Sequence, residues 1–124
     1  MDNWRLLNPQ TADAYTNMAV DEAVMKARIE NKVPNTLRFY QWNPSAVSIG
    51  RFQKLHNEVH VENCRDHGVD IVRRITGGGT VYHDSDGEIT YSIVAKTSEL
   101  GCADLDLLSA YQKICSGLNE AVKI

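Results

Sequence analysis

The sequence predicts a single α+β domain built on a mixed, largely antiparallel sheet with flanking helices. Two observations carry that expectation. β-prone and helical segments intermingle along the chain in the order that places helices on a sheet face, and no internal repeat, low-complexity tract or linker divides them. The 124 residues suffice for one core, and 43% hydrophobic with 23% charged residues is the balance of an ordinary globular protein.

Trp4 to Leu7 reads as a short first strand. Thr11 precedes a helical stretch in which Tyr15, Met18, Ala19, Met25 and Ile29 favour one side, interrupted by Asp21 and Glu22. Those two carboxylates suit buried or capping hydrogen bonds better than a metal pair, since no further ligand cluster accompanies them. Thr36 to Trp42 and Ala46 to Ile49 are β-prone runs around the turn residues Asn43-Pro44-Ser45, which predicts a hairpin. Glu58 to His67 has the length of about two and a half helical turns, with Gly68 as a left-handed cap and Val69 to Val72 as the next strand. Thr80 to Tyr82 and Ile89 to Ala95 flank Ser85-Asp86-Gly87, and predict a second hairpin. Leu108, Tyr111, Cys115, Leu118 and Val122 follow helical spacing, with Asp104 or Asp106 near the start favouring the helix dipole. That helix runs to Val122-Lys123-Ile124 without a glycine cap, so the chain reads as one incomplete domain over residues 1–124.

Composition narrows the function classes. A formal net charge of −3 gives no broad attraction to phosphate backbones, so nucleic acid is not an expected partner. No stretch approaches the roughly 18 apolar residues of a membrane span, and Met1-Asp2-Asn3-Trp4-Arg5 lacks the start of a signal peptide. Cys64, Cys102 and Cys115 are odd in number, widely spaced and outside any C-x-x-C pair, which points to a reducing cytoplasm and to neither a disulfide framework nor a zinc site. Cys115 falls on the apolar stripe of the last helix and reads as a core residue.

The chemistry concentrates in Arg73-Arg74-Ile75-Thr76-Gly77-Gly78-Gly79-Thr80-Val81-Tyr82-His83-Asp84. Three successive glycines lose much chain entropy on folding, so such a loop suits a backbone that approaches something closely. Their N–H groups can line a concavity for oxygen anions, and the adjacent arginines offer planar paired donors to a carboxylate or phosphate. The run matches neither the P-loop nor the dinucleotide-binding glycine pattern. From local chemistry, a ligand-binding loop and a plain hairpin connection both stay open.

The twelve-residue run R-R-I-T-G-G-G-T-V-Y-H-D resembles the R-R-x-[ST]-G-G-G-[AT]-V-[FY]-H-D signature of lipoate-protein ligase A enzymes and related octanoyl- and lipoyltransferases. Asn17 to Ala23 is similar to the family's first-helix pattern, and Ser48-Ile49-Gly50-Arg51-Phe52-Gln53 to its I-G-R-x-Q strand end. Together these cover essentially the whole chain and correspond to about the first half of the biotin/lipoate protein ligase catalytic fold. Biotin ligases carry a different G-R-G-R-x-[GR] loop, so lipoate or octanoate is the expected acid.

The resemblance implies activation of the acid with ATP and magnesium to an acyl-adenylate, then transfer to a lysine of a carrier. That carrier would be the lipoyl domain of a 2-oxoacid dehydrogenase complex or the glycine cleavage H protein. By position, Arg74 would hold the carboxylate or adenylate phosphate, with Thr76, Gly77, Gly78 and Gly79 shaping the loop and Arg73 supporting it. Thr80, Val81, Tyr82 and His83 would flank the intermediate, Val81 against the acyl chain. His83 reads either as a hydrogen-bonded strand end or as a ligand contact, with Asp84 as its orienting partner. The family's catalytic lysine sits in a K-[IV]-x-G-x-[AS] context and the transferases' cysteine lies similarly downstream; neither context is present, and Lys123 lacks it, so no catalytic residue is assigned and little turnover is expected of this chain alone. The alternatives are an octanoyl- or lipoyltransferase, a non-catalytic lipoate- or carrier-binding module, and a domain completed by a second chain.

Overall fold

A computed structural model describes residues 3–123. Met1, Asp2 and Ile124, which enter the readings of the amino terminus and the last helix, lie outside the described residues. The elements are β1 (Trp4–Ala12), α1 (Ala14–Ile29), β2 (Asn35–Trp42), β3 (Ala46–Ile49), α2 (Leu55–Glu58), α3 (Val61–Asp66), β4 (Asp70–Arg73), β5 (Val81–His83), β6 (Thr90–Val94) and α4 (Leu107–Ala121). The fold is α+β with small mixed sheets and flanking helices, as the sequence predicts.

The strands form two three-stranded sheets, ordered β1-β2-β6 and β4-β3-β5. β1 runs parallel to β2, and β3 parallel to β4, each pair linked through helix; β2–β6 and β3–β5 are antiparallel. The pairing is therefore half parallel, because a helical crossover returns the chain in the same direction. Neither expected hairpin forms. β2 and β3 are the central strands of separate sheets, and a strand has only two hydrogen-bonding edges, both taken here by other partners. The turn at Asn43-Pro44-Ser45 passes the chain from one sheet to the other, and residues 84–89 do the same between β5 and β6. Turn residues redirect a chain without choosing its ladder partner.

The expected helix Glu58 to His67 is shortened to α3: Glu58 ends the unexpected turn α2, and Val59 and His60 are extended between the two. The His60 ring nitrogen accepts from the Asn63 N–H and starts α3 afresh. Gly68 closes α3 at φ 64°, the left-handed conformation the sequence predicts there.

Ala14, Tyr40, Trp42 and Ala46 form the buried core, with Met18 and Val72 packed against it. α1 docks on the sheet by a face other than the predicted one: Ala14, Asn17, Val24 and Arg28 are buried, whereas Tyr15 and Ile29 are exposed. Asn17 donates to the carbonyls of Ala12 and Gln41, and its own oxygens accept from the Arg38 guanidinium. Arg38 also donates to Asp21 Oδ1 at 2.8 Å and lies 3.9 Å from the Tyr40 ring centre. Polar groups buried this way are satisfied, and the interruption of the apolar stripe at Asp21 is the contact itself.

Candidate functional site

The site grows from the end of β3. Beyond Ile49, the chain stays paired with the glycine segment through Arg74 N–H to Ile49 O at 3.0 Å and Arg51 N–H to Thr76 O at 2.9 Å. Gly50 lies directly under the loop: a Cβ there would meet the Gly78 carbonyl oxygen at 2.1 Å. Gly78 itself has φ 94°, a backbone state that side chains disfavour. Cβ positions on Gly77 and Gly79 would meet nothing within 4 Å, so the loop's outer surface is open.

Both arginines hold backbone. Arg73 Nη1 donates to the carbonyls of Gly50, Arg51 and Gln53, in the segment after β3 and not in the glycine loop. Arg74 Nη1 donates to the Ser48 carbonyl and hydroxyl, both at 3.0 Å, and Nη2 to the carbonyls of Gly77 at 2.9 Å and Gly79 at 2.6 Å. With these carbonyls turned inward, the N–H groups of Gly77, Gly78 and Gly79 have no protein acceptor among the described residues. Thr80 caps the loop's far end through Gln53 Oε1 at 3.2 Å.

His83 is 7% exposed and stacks on Trp42 with ring centres 4.0 Å apart. Its Nε2 lies 2.8 Å from Ser48 Oγ and its Nδ1 2.7 Å from Glu88 Oε1. Glu88, not Asp84, is thus its orienting partner. Asp84 contributes only its N–H, to Glu88 Oε2, while its carboxylate accepts from the Asp86 N–H. The Thr90 hydroxyl donates to Glu88 Oε1 and accepts from Trp42 Nε1. Burial alone would raise the Glu88 carboxyl, but the donors Thr90 and His83, with the Asp84 N–H, outweigh it and hold it below the usual range.

A groove of about 570 Å³ opens between the two sheets, α1 and α4, within the roughly 300–1,000 Å³ of small-molecule sites. Met18, Met25, Trp42, Ile75, Ile93 and Ile114 give it an apolar wall. Of the residues named from sequence, Arg74, Thr76, Val81 and His83 line it. Gly77, Gly78, Gly79, Thr80 and Tyr82 lie outside its lining, and Tyr82 is exposed on the alternate face of β5. Tyr40 and Asp21 also reach the groove; burial first, then the charge of Asp21, pushes the Tyr40 hydroxyl well above its ordinary value, so it is a neutral donor to Asp21. Sequence reasoning missed Glu88, Thr90 and Trp42, for which β propensity and turn chemistry carry no functional signal.

A model of the lipoyl protein ligase A/B catalytic domain matches residues 13–123. The chain belongs to this family. Within the lipoyl protein ligase A/B family it is 42% identical over 122 residues to octanoyltransferase LipM of Moorella thermoacetica, covering 96% of this chain and 44% of that protein. It is 45% identical over 118 residues to octanoyltransferase LipM of Kyrpidia tusciae, covering 95% and 42%. Among solved structures, a lipoate-protein ligase A bound with ATP matches with a TM-score of 0.72 and 31% identity over 90% of this chain and 42% of that one. A bi-partite lipoate protein ligase from Thermoplasma acidophilum, from a study that includes its E2 lipoyl domain, matches with a TM-score of 0.66 and 30% identity over 90% and 41%. The chain therefore spans less than half the length of these relatives.

Proposed function

We propose that this chain is the acyl-binding part of an octanoyltransferase-type domain, holding an octanoyl or lipoyl group in the groove for transfer to a lysine of a lipoyl carrier domain or H protein. The observation that carries it is the apolar groove meeting, at Arg74 and Thr76, a loop of three glycines whose N–H groups have no protein acceptor among the described residues. An apolar chain gains from burial against Met25, Ile93 and Ile114, and oxygen atoms at its head gain from free N–H donors. In this reading Arg74 supplies the positive charge behind the loop, with Thr76, Gly77, Gly78, Gly79, Thr80, Val81, Tyr82 and His83 as the surrounding binding segment. The relatives named octanoyltransferase, at 42% and 45% identity, favour transfer between carriers.

A ligase using ATP and magnesium is the second reading, favoured by the likeness to a ligase solved with ATP. Among the described residues no three His, Cys, Asp or Glu side chains converge; magnesium commonly arrives on nucleotide phosphates with few protein ligands, so no residue is assigned to it. Neither a cysteine nor a lysine lines the groove among the described residues, so the reacting group would come from outside this segment, in the same polypeptide or a second chain. Alone, the chain is expected to bind and not turn over.

Calorimetric titration with octanoic acid and with a non-hydrolysable octanoyl-adenylate analogue tests this. Both should bind, and Arg74→Ala should weaken each by at least about tenfold, because the carbonyls of Gly77 and Gly79 lose the guanidinium that holds them. Added affinity from the nucleotide would favour the ligase; equal affinity would favour the transferase. A folded wild-type chain that binds neither compound sinks the acyl-binding reading.

A further inference from the structure

The geometry points to Glu88 as a positioning residue of the acyl site, acting through His83 and Ser48 on Arg74 and thereby on the glycine loop. This rests on the acyl-binding reading only for its consequence in affinity; the chain of contacts stands on its own distances.

The proton positions follow from donor and acceptor chemistry. Every group facing the Glu88 carboxylate donates: the Thr90 hydroxyl at 2.5 Å, His83 Nδ1 at 2.7 Å and the Asp84 N–H at 3.3 Å. An ionised carboxylate only accepts, so His83 carries its proton on Nδ1. In the Nδ1-protonated tautomer Nε2 is an acceptor, and the Ser48 hydroxyl donates to it at 2.8 Å. That orientation turns the Ser48 lone pairs away from His83, where Arg74 Nη1 donates to them at 3.0 Å. The same guanidinium holds the carbonyls of Gly77 and Gly79. Four side chains from separate segments thus set which way the loop's N–H groups face.

Ser48 is 1% exposed and His83 7%, so water does not readily replace a broken link. Burial of Trp42 against the imidazole fixes the ring plane. Opposite tautomers differ in outcome. With the proton on Nε2, the Ser48 hydroxyl would have to accept from His83 and from Arg74 at once, and its own proton would have no partner among these groups.

Glu88→Leu tests the inference by removing both acceptor oxygens at similar volume, so that His83 Nδ1 loses the group it donates to. Nitrogen-15 spectra of the wild-type chain should show the Nδ1-protonated tautomer of His83, and Glu88→Leu should shift it toward Nε2. The amide signals of Gly77, Gly78 and Gly79 should move with it, and octanoic acid should bind about tenfold more weakly while the melting midpoint stays within a few degrees. Ser48→Ala cuts the chain of contacts beyond His83 and should disturb the same glycine amides with the His83 tautomer retained. The double variant should bind no worse than the weaker single one, since both break one path. Glycine amides unmoved by Glu88→Leu, or losses that add in the double variant, would overturn the positioning role. If the wild type binds no octanoic acid, the acyl reading fails while the tautomer and amide shifts still decide the role of Glu88.

Discussion

At the scale of single residues, the site depends on which atoms stand where a side chain is missing. Gly50 is the sharpest case, because all three near neighbours of a Cβ there are backbone atoms of Gly77 and Gly78, which no rotamer change can move. Gly50→Ala should lift the loop off β3 and cost about 1–3 kcal/mol of stability, the range for overpacking, with weaker octanoic acid binding as a second effect. Urea unfolding checks this, and an alanine variant as stable as wild type would show that the loop has room to shift. The glycine loop was legible in sequence because its chemistry sits in consecutive residues. Its supports were not: Ser48 and His83 lie 35 positions apart, and Glu88 reaches back to His83 across a turn with no period to announce it. Arg74 illustrates the limit from the other side, since its charge was legible while the three carbonyls and the Ser48 hydroxyl that accept from its Nη groups were not.

At the scale of elements, periodicity identified most strands and helices but not how they pair or which face they bury. β2 and β3 end up in different sheets because each is central and fills both edges elsewhere. α1 buries Asn17 and Arg28 where an apolar stripe was expected, because Arg38 and Asn35 on β2 meet them with hydrogen bonds. Helix starts were unevenly marked: Asp106 was legible for α4, whereas α1 is capped by Asp13 and the expected Thr11 belongs to β1. Asp13 accepts from the Thr16 N–H at 2.7 Å and Asp106 from the Ser109 N–H at 2.9 Å, and those bonds hold both carboxyls below their ordinary value of 3.8. A carboxyl lowered on folding contributes stability that is present above its unfolded value and lost as pH falls through its folded one. The caps of α1 and α4 should therefore weaken as pH drops below about 3.8. Asparagine accepts the same bond without titrating, so an Asp13→Asn, Asp106→Asn chain should lose less helical ellipticity than wild type between pH 4 and 2. Equal acid losses in the two would assign the transition to other carboxyls, such as Glu88 and Glu99, which are also held low.

At the scale of the whole molecule, the question is what covers α4. The sequence places Leu108, Tyr111, Cys115, Leu118 and Val122 on one apolar stripe, and the structure turns that stripe only partly inward: Ser109, Ala110, Ile114, Cys115 and Leu118 are half-buried, and no residue of the helix is fully buried. Cys115 is accordingly half-buried, 4.0 Å from the Tyr91 hydroxyl, and not the core residue expected of it. Leu107 is 75% exposed and Leu108 68%, and Leu6 on the edge strand β1 is also exposed. Contiguous apolar surface and open strand edges both favour association. The chain by itself should therefore sediment as concentration-dependent oligomers, and replacing Leu107 and Leu108 together by glutamate, which suits the first turn of a helix, should shift it toward monomer without lowering its melting midpoint, since neither side chain is buried. If octanoic acid binds in the groove, against Tyr111 and Ile114 of α4, it should bind the double-glutamate variant as well as the wild type. A wild-type chain that stays monomeric at every concentration would show that the exposed leucines of α4 and the open edge of β1 do not drive association.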